Sequence, residues 1–349
     1  QFMLPASSYI PYAVGISIAR LLNLNAYVTF FMGRFSMFLL AFVWMIFLYK
    51  KIPHPFKPIL FFVFSIPMFI HQITGYNYDA TQYMMGFSLF VFLLNLLQKR
   101  KLSSLDLTAL GVTFLLFLIM KLSFEPMLLL IFLISYQKID KKLFGYVKKM
   151  FFIMAIILAG YFLIKSTFFI SATHYTHHPK GVNPTLQTQY ILNHPIKYLQ
   201  IFTQSSVHLA KFHLQGLIGI FGWLDYSMDW WVYILFIGTG IYLVCTIKLG
   251  SKERLKLWQI VIVFGSVFLT YAFMMTIFYL NWKVVGSQVI DGTQGRYFIS
   301  LLPFLLLGLV HLKAKTSLSV KIPGIKFLLV LVLFLIIVSV INSIQTRYY

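Results

Sequence analysis

About ten stretches of this chain are apolar and long enough, or nearly so, to cross a bilayer, and Lys and Arg cluster in every second connection between them. A crossing needs roughly 20 apolar residues to span a hydrocarbon core of about 30 Å. The basic clusters then assign sides, because short cytoplasmic loops collect Lys and Arg. The five basic connections hold most of the 29 Lys and Arg residues. The pattern predicts an all-α polytopic membrane protein of about ten transmembrane helices, in one transmembrane domain spanning 1–349. Its N-terminus begins outside. Function is to be sought on the side that lacks the basic residues.

Composition excludes the main alternative. The net charge of +21 resembles a nucleic-acid signal, yet only 11% of residues are charged. The cations sit in short clusters between apolar spans rather than on one surface, so they meet anionic lipid and no nucleic acid is expected. The single cysteine, Cys245, lies within an apolar span and rules out a disulfide framework or a Cys-based metal site.

Along the chain, Tyr9–Leu24 reads as an interfacial helix within the region 1–26, and Tyr27–Tyr49 as the first full span. Pro58–Ile73 returns outward, Gly75-Tyr76-Asn77 forms a tight turn, and Tyr78–Leu97 goes back in. Leu105–Met120 and Leu122–Tyr136 are each short for a span, with Lys121 between them. They predict a hairpin of two short helices with its tip below the outer surface. Only this hairpin reads as a broken span. Val147–Ile170, Trp230–Ile247, Leu257–Leu280, Tyr297–Leu312 and Phe327–Ile341 complete the crossings. Two outer loops remain, 171–229 and 281–296. The first is long enough to be functional, and Pro184–Ser205 within it predicts amphipathic helices broken at Pro195. The chain opens on Gln1 without an initiator Met or a signal-peptide pattern, so a preceding span is expected.

Ionisable groups in or beside a membrane are functional candidates. Asp79 and Asp225 fall at the outer side, although Asp79 is equally suited to cap the helix that follows the turn. Arg34, Lys121 and Arg296 lie where positive-inside logic disfavours a cation, and together they suit a lipid phosphate. Local pairing is the competing account, Lys121 with Glu125 and Arg296 with Asp291. His174, His177 and His178 have no carboxylate nearby in sequence and read as a solvated loop rather than a metal site. Trp223, Trp230 and Trp231 fit an interfacial belt or a sugar platform.

Four elements, SIPMFIHQITGYNYDA, NPTLQTQYILNHPIKYLQIF, GWLDYSMDW and DGTQGRYFISLLPF, occur in this order. They resemble an uncharacterised bacterial family of polytopic membrane proteins related to the GT-C glycosyltransferases. The resemblance implies a GT-C-like fold, a polyprenyl-phosphate sugar lipid as donor and an envelope polymer as acceptor; no cofactor is expected, and metal dependence is left open. The resemblance also implies a bacterial plasma membrane with the active face outside. Asp79, Asp225, Arg296 and Tyr297 are its motif positions, and His71, Gln72, Trp223 and Tyr297 would line the cavity and sugar platform; within that frame Asp79 and Asp225 are the candidate catalytic carboxylates, Asp79 being the best resident base, and Arg296, Lys121 and Arg34 would hold the donor phosphate. Two departures stand out: Ile299-Ser300 replaces an Ile-Pro step, and the essential acid expected in a first outer loop would precede Gln1. A lipid-linked-sugar transporter and a non-catalytic envelope-assembly subunit are the competing classes.

Overall fold

The computed structural model describes residues 6–135, 138, 181–222, 224–250, 253–315, 334, 338 and 339. The protein is mostly helical. Among the described residues four helices are long and apolar enough to cross a membrane, or five if one bent pair is a single span. That is fewer than the expectation of about ten. Part of the difference is length: Ser104–Met120 and Trp230–Thr246 are apolar helices of 17 residues, at the lower limit for a crossing. The expected span Val147–Ile170 and nearly all of Phe327–Ile341 lie outside the described residues.

A short helix α1 (Ile10–Leu21) lies along the first long helix α2 (Ala26–Lys51). Asn25 starts α2 by accepting the Val28 amide at 2.9 Å, and the residue before Pro53 ends it. The contact rests on small residues: a Cβ on Gly15 would sit 2.2 Å from the Met32 carbonyl oxygen. Much of the remaining α2 surface is exposed and apolar, including Phe30, Phe35, Leu39, Val43 and Phe47, as a lipid-facing helix requires.

The next crossing is bent, which the sequence reading missed. Helices α3 (Lys57–Phe64) and α4 (Pro67–Thr74) meet at 67°. Pro67 explains the break, because it lacks an amide hydrogen and forces Ile66 into an extended conformation. Helix α5 (Asp79–Gln98) then runs through the middle of the protein, with most of its side chains buried. It packs in a core rich in phenylalanine, among them Phe69, Phe87, Phe90, Phe117 and Phe304.

The expected hairpin is present. Helix α6 (Ser104–Met120) opens with a capping box between Ser103 and Asp106, and Lys99 Nζ lies 2.6 Å from Asp106 Oδ1. Lys121 interrupts the helix, and a 3-10 helix, Leu122–Leu133, packs back against α6. The Leu102 amide donates to the Lys138 carbonyl at 2.9 Å, clasping the two ends of the hairpin together.

Helices α7 (Pro184–Asn193) and α8 (Pro195–Ile218) meet at the expected break before Pro195. A strand pair that an all-α reading did not foresee follows, β1 (Ile220–Phe221) and β2 (Tyr226–Ser227), antiparallel with Ile220 opposite Ser227. Tyr233 secures it, accepting the Met228 amide at 3.0 Å and donating to the Gly219 carbonyl at 2.7 Å. Helices α9 (Trp230–Thr246) and α10 (Leu257–Trp282) are followed by a 3-10 turn, Gly295–Leu301, that runs into α11 (Leu302–Lys313).

The described parts of the basic connections lie at one end of the bundle. Asn95 Nδ2 donates to the Lys51 carbonyl at 3.1 Å, and Gln259 Nε2 to the Leu133 carbonyl at 3.0 Å. His311 Nε2 lies 3.1 Å from the Glu253 carbonyl oxygen. The opposite end, poor in basic residues, carries the Gly75–Asn77 turn, the hairpin tip and the start of the final 3-10 turn.

Candidate functional site

The turn at residues 75–77 decides what Asp79 can do. Asn77 Oδ1 accepts the Ala80 amide at 3.0 Å, so asparagine and not Asp79 serves the first turn of α5. The turn is fixed from α1, where Tyr12 Oη donates to the Gly75 carbonyl at 2.8 Å and the Asn77 carbonyl at 3.0 Å. Relieved of capping, Asp79 points inward and is only 2% exposed.

Two cations from distant parts of the chain face it. Lys121 Nζ, at the hairpin tip, lies 3.6 Å from Oδ1, and Arg296 Nε, in the final 3-10 turn, lies 3.6 Å from Oδ2. Both distances fit ion pairs but exceed a good hydrogen bond. Asp79 Oδ1, Lys121 Nζ and Arg296 Nε are all buried without a hydrogen-bond partner among the described residues. One carboxylate against two cations leaves one unit of positive charge. The ammonium of Lys121 sits 3.7 Å from the centre of the Tyr297 ring and 5.7 Å from that of Tyr78. The guanidinium of Arg296 is 5.6 Å from the Tyr297 ring. The rings thus solvate the cations from one side.

The pairing of Arg296 with Asp291 expected from sequence gives way to a longer one. Asp291 pairs with Lys283 at 2.5 Å, and Arg296 turns to Asp79 instead. Lys121 likewise reaches Asp79 across the bundle. The reason is packing: α5 lies between the hairpin and the final 3-10 turn, so its first residue meets both.

Other polar groups brace the cluster. Tyr83 Oη donates to the Arg296 carbonyl at 2.9 Å, and Gln82 Nε2 donates to Ser300 Oγ at 2.8 Å. Gly295 lies directly against α8: a Cβ there would sit 2.4 Å from the Leu217 amide and even closer to the His213 carbonyl. None of Tyr78, Gln82, Tyr83, Gly295 or Ser300 was singled out as a site residue from sequence. The usable signal was the spacing of Asp79, Gln82 and Tyr83, one turn apart on a helix that is otherwise apolar.

The remaining candidates are more scattered. His71 is at the exposed end of α4, its ring 5.1 Å from Phe221 and within electrostatic reach of both Arg296 and Arg34. Gln72 is buried beside it, with Nε2 3.4 Å from His71 Nδ1. Arg34 donates from Nε to the Thr74 carbonyl at 2.5 Å, and among the described residues it makes no ion pair with Asp79. Asp225 is on the exposed turn between β1 and β2. Trp223 and the histidines at 174, 177 and 178 lie outside the described residues. Among the described residues no group of three or more His, Cys, Asp or Glu side chains is arranged to hold a metal ion.

A second buried network ties α8 to the loop before Arg296. His213 Nε2 lies 2.8 Å from Thr293 Oγ1, and its Nδ1 lies 3.4 Å from Tyr271 Oη. Burial holds this imidazole below the ordinary histidine range, partly opposed by its contact with the Thr293 backbone. The unfolded chain therefore binds the proton more readily than the folded one, and stability rises with pH across that window. Thermal stability is expected to be flat above pH about 6.5 and to fall below it. His213→Asn should flatten that acid limb. An unchanged limb in the variant would show that His213 is not its source.

A family model described as that of a predicted membrane protein matches residues 5–305. No curated protein and no solved structure matches the chain.

Proposed function

The chain belongs to the DUF2142 family of predicted membrane proteins, and from that premise we propose that it transfers a sugar from a polyprenyl-phosphate carrier to a cell-envelope glycan or polymer. The observation that supports this reading is the meeting of Lys121 and Arg296 on one buried carboxylate. The surplus positive charge favours a second anion, and two buried nitrogens have donors to offer it. A phosphate suits both, since Arg presents a planar fork and Lys a point charge.

In the proposed reaction an acceptor hydroxyl oxygen attacks the anomeric carbon, and the bond from that carbon to the phosphate oxygen breaks. The electron pair leaves with the phosphate, where Lys121 and Arg296 stabilise the growing charge. The hydroxyl proton passes to a carboxylate, and the single displacement inverts the anomeric centre. The side chain of Asp79 is 3% exposed and faces two cations, so in this reading it positions them. Asp225, on the exposed hairpin turn, is assigned the proton. Tyr297 is assigned to the sugar platform with His71 and Gln72, and Trp223, the other platform residue expected from sequence, lies outside the described residues. The active face is assigned to the outside of a bacterial plasma membrane.

One observation favours a second reading. The 67° break between α3 and α4 is the kind of discontinuity found in transporters, which fits movement of a lipid-linked sugar. The same experiment separates the two. Cells lacking the protein would be compared with cells expressing wild type, Arg296→Gln and Asp225→Asn at matched membrane abundance. Glycosyl transfer predicts loss of one envelope sugar, restored by wild type and not by Arg296→Gln. Unchanged transfer in isolated membranes, with lipid-linked precursor accumulating on the inner leaflet of cells, would favour transport. No change in either polymer or precursor would leave an assembly subunit as the reading.

A further inference from the structure

Arg34 is the cation that the Asp79 cluster leaves out. It lies eight residues into α2, about 12 Å from the helix start at 1.5 Å per residue. Its Nε is held by the Thr74 carbonyl, and its guanidinium carbon lies 5.7 Å and 5.5 Å from the Phe30 and Phe31 rings. Among the described residues no carboxylate lies within ion-pair distance of it. A cation without a carboxylate partner on such an apolar, exposed helix is costly unless an anion meets it.

The surface beside Arg34 is shaped to bring one. A groove of about 490 Å³ runs along α2, lined by Val28, Phe31, Met32, Phe35 and Phe38, with Arg34 and Thr74 at its polar edge. The lining is almost wholly apolar, and the groove is open along its length. Gly33 allows the close packing at this point, since a Cβ there would collide with the Tyr76 hydroxyl, which itself donates to the Phe30 carbonyl at 2.8 Å. The turn that presents Thr74 is thereby fastened to α2, and Arg34 is held at the rim of the groove.

We propose that this groove binds one anionic membrane phospholipid, its phosphate on the free edge of the Arg34 guanidinium and one acyl chain along Phe31, Phe35 and Phe38. The charge argument selects the occupant: a single unpaired cation faces a chain-shaped apolar surface that is open to lipid. Among the described residues no ion pair joins Arg34 to Asp79, and the site stands whether or not the protein transfers sugars. Its lipid would brace α2 against the turn that delivers Asp79.

Native mass spectrometry of the full chain, delipidated and then titrated with phosphatidylglycerol or phosphatidylcholine, tests it. Wild type should retain one phosphatidylglycerol in preference to phosphatidylcholine. Arg34→Gln should lose about tenfold of that retention, the scale of a charge-assisted hydrogen bond, and Arg34→Lys should fall between. Val28→Trp keeps the cation but fills the groove, and it should also lose retention while remaining folded by thermal melt. Equal retention by wild type and Arg34→Gln would overturn the proposal, as would full retention by a folded Val28→Trp. Equal binding of the two lipids would remove the charge argument. Polyprenyl phosphate displacing phosphatidylglycerol at equal concentration would assign the groove to a different lipid and refute this occupant.

Discussion

Asp79→Asn is expected to destabilise the protein by about 3 kcal/mol, near the lower end of the cost of breaking a buried ion pair. The substitution keeps the shape of the side chain and removes only its charge. Lys121 and Arg296 would then share one site with no anion between them. Their 3.6 Å separations from the carboxylate, without direct hydrogen bonds, place the loss toward the smaller side of that range. Arg296 is also 30% exposed at its side chain, so water screens part of its charge. Reversible unfolding in mixed micelles gives the number, and a cycle through Lys121→Met tests its origin. The double variant Asp79→Asn with Lys121→Met should recover part of the stability, because it removes one stranded cation. A loss under about 1 kcal/mol, or no recovery, would mean that the three charges do not act as a unit.

Gly295→Ala should be at least as damaging, by about 3 kcal/mol or more, through overpacking rather than charge. The added methyl would meet the backbone of α8 at His213 and Leu217, and backbone cannot swing aside as a side chain can. Helix α8 must lift, and Arg296, the next residue, must move with the strain. Gly238→Ala provides the control. It lies in α9 with open space where the methyl would go, and alanine is the better helix former. That variant should be neutral or slightly stabilising. Hydrogen exchange across 195–218 would report the release of α8 in Gly295→Ala. Protection equal to wild type would contradict the close packing at this junction.

How far this architecture is legible in sequence depends on the range of the interaction. Hydropathy and the basic clusters mark α2, α5 and α10 and the end of each helix that faces the basic side, because those signals are local. The hairpin and its tip at Lys121 are legible for the same reason, as is the break before Pro195. Pro67 carried an equally local signal for the bend between α3 and α4, but an apolar run on both sides concealed it. Asp79, Lys121, Arg296 and Tyr297 stand out one by one as polar groups in an apolar setting. Their meeting does not. Nothing within four residues of Arg296 indicates that Asp291 will turn to Lys283 and leave the guanidinium to a carboxylate on α5. The capping role raises the same difficulty: Asn77 and Asp79 are both competent, and only the packed turn gives the task to Asn77.

The clasp between Leu102 and Lys138 gives the hairpin the character of a gauge. With both ends fastened at one level, the number of residues in each arm sets how far the ammonium of Lys121 projects toward Asp79. One helical turn more or less would displace it by about 5.4 Å, beyond the reach of the carboxylate although every charge in the chain is kept. The length of α6 is therefore part of the electrostatics. An insertion or deletion in this arm, far from any ionisable group, would act on the site as a charge substitution does.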